Sequence, residues 1–186
     1  ESEVSNTKLR KDLYDKMVAI DPFEPSEEER QCGEITKLRY MQFREQESST
    51  ASLGFRIEAA KMLGGCLEKN FKKVRTADDV KCALTKFMGD DVCRVRTELL
   101  RMMRGLRAAV EKSRFFAEHE VVGSSLLIMF DRQKVGVWMI DFAKTVKASE
   151  GRTITHRSEW IPGNGEDGYL TGIDNLVDIL DDMSKR

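Results

Sequence analysis

In the stretch VWMIDFAKT, residues 137–145, four apolar residues run directly into Asp141, with Phe142 and Lys144 close behind. A carboxylate at the end of an apolar strand is costly unless a hydrogen-bond network or a metal ion compensates it. The preceding apolar run, VVGSSLLIMF (121–130), is joined to it by Asp131-Arg132-Gln133-Lys134, and the two read as a β-hairpin. With the turn centred on Arg132 and Gln133, Phe130 faces Val135, Ile128 faces Val137, Leu126 faces Met139 and Ser124 faces Asp141. Opposed residues share a face, with Cβ atoms about 4.5–5.5 Å apart. Both strands are apolar on both faces, which predicts a buried hairpin whose open end carries one polar pair, Ser124 and Asp141. A hydroxyl beside a carboxylate suits a hard cation such as Mg²⁺, which takes oxygen ligands, often one or two carboxylates plus phosphates. A three-residue turn would bring in Ser125 or Gly123 instead. The metal-free alternative is an aspartate accepting hydrogen bonds from the turn that follows its strand.

A second set of residues points to anion binding. Between Lys37 and Arg75 nine Lys/Arg stand against four acids, whereas the stretch from Glu166 onward has six acids and two bases. On a helix through 36–45, Lys37 and Arg44 are seven residues apart and share a face, with Tyr40 and Met41 between them. Lys61 follows in the next apolar stretch. Arg gives forked contacts to phosphate and Lys a point charge, so these cations beside an aromatic suit a phosphate-rich ligand. A solvated charged face is the other reading.

The whole composition bounds both. The chain has 186 residues, 40% hydrophobic and 34% charged, with net charge −1, an ordinary globular mixture on the charged side. Near-neutrality argues against a wholesale nucleic-acid binder and, with the local basic bias, favours a small anionic partner. No apolar run approaches a membrane span, and the start lacks the apolar core of a signal peptide. Cys32, Cys66, Cys82 and Cys93 form no CxxC pair and read as reduced thiols of a cytoplasmic protein, without the spacing that would join them to His119 or His156 in a metal site. The sequence begins with Glu1 rather than Met and is expected to be a piece of a longer product.

Several elements must position these residues. Leu9, Leu13 and Met17 predict a helix over about 6–20, stopped by Asp21-Pro22. A helical region begins at Pro25-Ser26 and is expected to run to about Glu45. QESSTAS (46–52) reads as a loop, and LGFRIEAAK (53–61) as a strand, with Leu53, Phe55 and Ile57 alternating. Gly64-Gly65 marks a turn. Thr76 caps a helix to about Met88. The longest helix runs from about Asp91 to Ser113, with Val92, Val95, Leu99, Met102, Leu106 and Val110 as its core stripe. The hairpin follows, then an irregular stretch through HRSEWIPGNGEDG, then a helix from about Asp167 to Ser184 with Leu170, Ile173, Leu176/Val177, Leu180 and Met183 on one face.

Together these stretches resemble the inositol polyphosphate kinases, most closely the inositol 1,4,5-trisphosphate 3-kinases. The matching pieces are LRKDLYDKMVAIDPFEPSEEE, TKLRYMQFRE, LGFRIE, FFAEHEVVGSSLL, VWMIDFAKT and HRSEWIPGNGEDGYLTGIDNL, spread in family order over almost the whole chain. The SSLL, IDF and DGYLxGxDN elements are the specific ones. The resemblance implies an α+β fold: the C-terminal lobe of a lobed, protein-kinase-like domain, with a helical substrate-binding insertion over about 6–62 and the lobe itself over about 76–186. It implies ATP-dependent phosphorylation of inositol 1,4,5-trisphosphate at the 3-hydroxyl, with Mg²⁺ and ATP held between lobes. Carried over by position, Asp141 is the Mg²⁺ ligand and catalytic carboxylate, and Ser124 lies on the nucleotide and metal side. Lys37, Arg44 and Lys61 are ligands of the substrate phosphates, Tyr40 lines that site and Arg10 adds a contact. The long helical segment favours the trisphosphate 3-kinase over a broader multikinase.

The sequence departs from the family pattern twice. Ala143 stands where the family usually has Gly after IDF, and the family's DxKxG motif is absent, so an upstream nucleotide lobe is expected outside these residues. Regulatory partners are expected to act through such outside regions. A protein-kinase assignment fails because no HRD-type catalytic loop precedes DFAKT. A non-catalytic module that binds inositol phosphates is the competing class; it would use the basic residues but not the Ser124–Asp141 pair.

Overall fold

The computed structural model describes residues 7–62, 64–161 and 163–184. Contacts divide the chain into two units, one within residues 1–48 and one within 49–186. The division falls after Ser48, so residues 49–62, grouped by the sequence with the helical segment, sit in the second unit.

The first unit comprises β1 (Leu9–Arg10), α1 (Lys11–Ile20), α2 (Glu27–Cys32), β2 (Ile35–Thr36) and α3 (Lys37–Gln46). Leu13 and Met17, one turn apart on α1, are buried with Ile35 and Phe43, and Tyr14, Ile20 and Tyr40 pack around them. The helix expected over 6–20 starts only at Lys11, because Leu9 and Arg10 pair with Thr36 and Ile35 in an antiparallel ladder; Asn6 lies outside the described residues. The helical run expected to reach Glu45 is two helices. Ser26 opens α2 with a capping box: its hydroxyl accepts from the Glu29 amide, while the Glu29 carboxylate accepts from the Ser26 amide. Gly33 then ends α2 in the left-handed region, φ 67°, where glycine has no Cβ penalty. The Thr36 hydroxyl restarts the chain as a helix by accepting from the Arg39 amide at 3.1 Å.

The second unit holds α4 (Thr50–Leu53), β3 (Ala60–Lys61), β4 (Leu67–Glu68), α5 (Ala77–Met88), α6 (Val92–Lys112), α7 (Arg114–Glu118), β5 (His119–Glu120), β6 (Ser125–Phe130), β7 (Val135–Ile140), β8 (Val146–Lys147) and α8 (Tyr169–Asp182). The described strands form four antiparallel two-stranded sheets, β1–β2, β3–β4, β5–β8 and β6–β7. No helix among the described residues is long and apolar enough to cross a membrane. The core lies between α5, α6, α8 and one face of the β6–β7 hairpin. Val95, Leu99, Met103 and Val110 carry the α6 stripe; Met103 takes the buried place expected for Met102. Complete burial of a side chain such as Leu99 contributes about 1.5–3 kcal/mol.

The strand expected over 53–61 survives only as Ala60–Lys61. Leu53 instead closes α4, and Gly54 turns left-handed (φ 72°) against α8. A Cβ on Gly54 would lie 2.8 Å from the Gly172 amide nitrogen, and one on Gly172 would lie 2.9 Å from the Gly54 carbonyl. The two glycines let the backbones touch, Asn175 of α8 donates to the Leu53 carbonyl at 3.0 Å, and the buried Ser49 hydroxyl donates to the Phe55 carbonyl at 2.7 Å. These bonds take the place of a strand ladder. Leu53, Phe55 and Ile57 still pack on the core.

The hairpin register is the expected one, with Phe130 opposite Val135, Ile128 opposite Val137 and Leu126 opposite Met139. Its burial is not. Those six residues pack on the core, but Leu127, Met129 and Trp138 on the other face are 40%, 56% and 51% exposed. A two-stranded sheet has two faces, and the core built on α6 covers only one.

Candidate functional site

The ladder between β6 and β7 ends at Ser125–Ile140, one pair short of the expected Ser124–Asp141 pair. The chain leaves the strand because Asp141 adopts left-handed backbone angles, φ 66° and ψ 54°, at the start of a 3₁₀ turn over Phe142–Lys144. Asp and Asn visit this region more readily than other L-residues, yet such a conformation costs of order 1–3 kcal/mol and clusters where function demands it. The carboxylate is exposed rather than buried, so the desolvation problem posed by the sequence does not arise. Asp141 is instead an oxygen donor without a hydrogen bond or ion pair among the described residues. Ala143 keeps an ordinary negative φ, since the described non-glycine residues with positive φ are Asp141 and His156; its methyl strains nothing in the backbone.

Ser124 lies in the turn that enters β6. Its hydroxyl donates to the Val121 carbonyl at 2.8 Å. Gly123 in that turn is left-handed, φ 80°, and the Lys144 side chain lies against it: a Cβ there would be 3.6 Å from Lys144 Cδ and 3.9 Å from Nζ. Lys144 thus brings an ammonium to the Ser124 turn, a placement that periodicity did not reveal. Burial pushes the Tyr169 hydroxyl up to about 12, with the nearby Ser124 hydroxyl opposing the shift. The Tyr169 and Thr145 hydroxyls are buried without a full hydrogen bond among the described residues.

Behind this edge, the irregular segment before α8 is held by His156 and Asp167, both almost fully buried. Asp167 accepts from His156 Nδ1 at 2.7 Å, from the Val121 amide at 2.8 Å and from the Tyr169 amide at 3.0 Å. His156 Nε2 meets the Phe116 carbonyl at 2.8 Å. Both partners of the ring are acceptors, so only the imidazolium satisfies both. Burial opposes that charge, but the bond to Asp167, its negative charge and the Phe116 carbonyl outweigh it and raise the pKa. His156 is left-handed too, φ 57°, and its carbonyl accepts from the Leu170 and Thr171 amides at 3.0 and 3.2 Å. It thereby satisfies two of the open donors at the start of α8. Buried Glu166 accepts from the amide and hydroxyl of Thr155 at 2.9 and 3.0 Å. Asp174 joins Arg107 and Arg157, and Glu111 joins the same two arginines. His156 is a structural cation, not a metal ligand. No group of three or more His, Cys, Asp or Glu able to hold a metal occurs among the described residues, and all four cysteines are free and exposed.

The expected phosphate ligands fall in both units. In the first, Lys37 opens α3 and Arg44 lies near its end, both half-buried. Arg44 Nη1 reaches the Tyr40 hydroxyl at 3.5 Å, so the aromatic and the cation do meet on one face. Between them Arg39 is occupied: it donates to Glu29 at 2.8 Å and pairs with Glu24 at 2.9 Å. The β1–β2 ladder puts Arg10 opposite Ile35, two residues before Lys37. The Arg10 guanidinium is forked onto Asp12 at 2.9 and 2.7 Å, an exposed pair of small energetic weight. Lys61 belongs to the second unit, exposed and opposite Leu67.

A helix that carries Lys37 and Arg44 and a hairpin that ends on an exposed carboxylate are groups suited to a class of protein that handles phosphate groups, and the relatives of the chain narrow that class. The inositol polyphosphate kinase family matches residues 7–181, and the chain belongs to this family. It is 66% identical over 183 residues to the inositol-trisphosphate 3-kinase homolog of Caenorhabditis elegans, covering 98% of this chain and 37% of the relative. It is 47% identical over 178 residues to human inositol-trisphosphate 3-kinase B, covering 95% of this chain and 19% of the relative. It is 46% identical over 180 residues to rat inositol-trisphosphate 3-kinase A, covering 96% and 39%. The chain therefore spans between about a fifth and two fifths of the length of these curated relatives.

Proposed function

We propose that these residues form the substrate clamp and metal-binding edge of an ATP-dependent kinase. It phosphorylates inositol 1,4,5-trisphosphate at the 3-hydroxyl to give inositol 1,3,4,5-tetrakisphosphate, in the cytoplasm where those solutes are found. The observation that carries the reading is Asp141: a carboxylate fixed in the left-handed region, exposed and unpaired among the described residues, in a member of the inositol polyphosphate kinase family. The names of the relatives, inositol-trisphosphate 3-kinases, support an inositol trisphosphate as the substrate.

The residues fit a magnesium ion of one kind. A single protein carboxylate, with no acidic cage around it among the described residues, suits an ion that takes its remaining ligands from nucleotide phosphates and water. Mg²⁺ held in this way would neutralise charge on the transferring phosphoryl group. Lys37, Arg44 and Lys61 bind the phosphates of the inositol ring. Tyr40 steadies the Arg44 guanidinium, and Arg10 can exchange its exposed Asp12 partner for a ligand phosphate. The Ser124 hydroxyl, donating to Val121, keeps lone pairs for a donor on the nucleotide side. The attacking 3-hydroxyl oxygen bonds to the γ-phosphorus, the bond from that phosphorus to the ADP oxygen breaks with its electron pair leaving on ADP, and the hydroxyl proton passes to solvent; positioning supplies most of such a rate. The reading takes this chain as the C-terminal lobe plus helical insertion of a lobed domain, working with a nucleotide lobe that carries the DxKxG residues missing here.

The test is product formation from ATP and inositol 1,4,5-trisphosphate by the full-length protein and its Asp141→Asn variant. The variant should lose about three orders of magnitude or more in kcat, the scale on which removing a charge-stabilising group acts. Near-normal turnover at ordinary Mg²⁺ would remove Asp141 from the mechanism. Tight binding of the trisphosphate without phosphorylation by the wild-type protein would favour a binding module.

A further inference from the structure

Within the second unit, β3 and β4 pair Ala60 with Glu68 and Lys61 with Leu67. The residues joining them are Met62, Leu63, Gly64, Gly65 and Cys66, so the connection is apolar and small. Leu67 is 55% exposed, and neither it nor Met62 belongs to the hydrophobic core. Lys69 follows the hairpin directly. Lys72 and Lys73 stand at the corner of a turn closed by the Val74 amide donating to the Phe71 carbonyl at 3.0 Å, and Val74 packs on the core, which anchors that turn.

The cations here are clustered and outnumber the acids. From residue 61 to 75 there are five bases and one acid, and that acid, Glu68, has Lys86 at 3.6 Å. Lys81, Arg94, Arg101, Arg104, Arg107, Arg114 and Arg157 each have a carboxylate within ion-pair distance. Lys61, Lys69, Lys72 and Lys73 are exposed and have none among the described residues. Unpaired cations alone would suit any polyanion or a free phosphate. An exposed leucine beside an apolar connection adds nothing to such binding. An anionic bilayer uses both features: basic residues are drawn to its surface and apolar side chains enter the boundary of the acyl region.

We propose that the β3–β4 hairpin and the turn after it form a docking surface for an anionic membrane, with Leu67 and Met62 entering the interface and Lys69, Lys72 and Lys73 facing lipid headgroups. This goes beyond the phosphotransfer reading and does not depend on it; Lys61, placed above in the substrate clamp, is left out of the test. The full-length protein is sedimented with vesicles of phosphatidylcholine alone and of phosphatidylcholine mixed with phosphatidylserine, at physiological ionic strength. It should bind the mixed vesicles and not the neutral ones. Replacing Lys69, Lys72 and Lys73 together by Gln should weaken partitioning about a hundredfold, and Leu67→Ser alone about tenfold. All these side chains are exposed, so thermal midpoints should match the wild type. Equal binding to neutral vesicles overturns the proposal, as does full binding by the triple variant. Release of the protein by inorganic phosphate in modest excess would mark a free-phosphate site instead. Normal binding by Leu67→Ser alongside loss in the triple variant would reduce the surface to a general polyanion patch, and that too overturns it.

Discussion

Asp141 and Asp167 are carboxylates from two of the most specific motifs in the chain, and the fold treats them in opposite ways. Asp167 is buried and accepts three hydrogen bonds, from His156 and from the amides of Val121 and Tyr169. Asp141 is exposed, has no partner among the described residues and sits in a strained backbone conformation. A carboxylate that is fully satisfied is already doing its job in the folded chain. One that is exposed and left unsatisfied is free to take a ligand.

The largest effect expected is on the second kind. Asp141→Asn should lower kcat by about three orders of magnitude or more while leaving the thermal midpoint almost unchanged, because the site is exposed and Asn tolerates the left-handed region. A marked drop in the midpoint would mean that Asp141 supports the fold and that the contrast is false. Asp167→Ala should do the reverse. It strands a buried imidazolium and two amides, and breaking a buried pair from one side costs about 3–5 kcal/mol. Chemical denaturation should show that loss in stability, and an unchanged midpoint would show that the Asp167 bonds are dispensable.

The same distinction explains what the sequence made legible. Binary pattern and cap chemistry place α5, α6, α8 and the hairpin register, because each is fixed by local periodicity or a local hydrogen bond. The Thr76–Asp79 capping box is an example. Where pattern fails, a long-range contact has overridden it. Leu53, Phe55 and Ile57 alternate like a strand, but Gly54 and Gly172 dock their backbones and Asn175 takes the Leu53 carbonyl. The apolar outer face of the hairpin misleads for a related reason: alternation reports which residues are apolar, not which face finds a neighbour. Asp and His enter the left-handed region more often than most L-residues, but residue type does not say which of them do, so the positive φ of Asp141 and His156 is not legible. The His156–Asp167 pair lies within one quoted motif, eleven residues apart, yet nothing local marks the two as partners.

A smaller effect separates occupied from available groups within one helix. Arg44→Ala should raise the KM for inositol trisphosphate about ten- to a hundredfold, the weight of one charge-assisted contact, and leave the KM for ATP alone. Arg39, four residues after the start of β2 and already bound to Glu24 and Glu29, should give little change in either KM when replaced by Ala. A rise in the ATP KM on losing Arg44 would put the clamp in the wrong place, and equal effects of the two arginines would erase the distinction between them.

The smallest expected effect is a pH dependence. His156 faces Asp167 and the Phe116 carbonyl, with Glu166 near enough to add a favourable charge, and its pKa is raised despite burial. A group whose folded pKa lies above its unfolded value, about 6.5 for His, stabilises the fold fully below that unfolded value. The contribution fades as pH rises through the folded pKa, because the native state then loses a proton it holds more tightly than the unfolded chain does. Carboxylates elsewhere also titrate, so the informative quantity is the difference between wild type and His156→Gln. That difference in unfolding free energy should be greatest below pH 6.5 and should shrink toward alkaline pH. Gln can still donate one hydrogen bond but carries no charge, so it isolates the imidazolium. A difference that stays flat across neutrality would mean that His156 is neutral in the fold. The ring would then satisfy only one of its two acceptors, and Asp167 would be a buried anion held by amides alone.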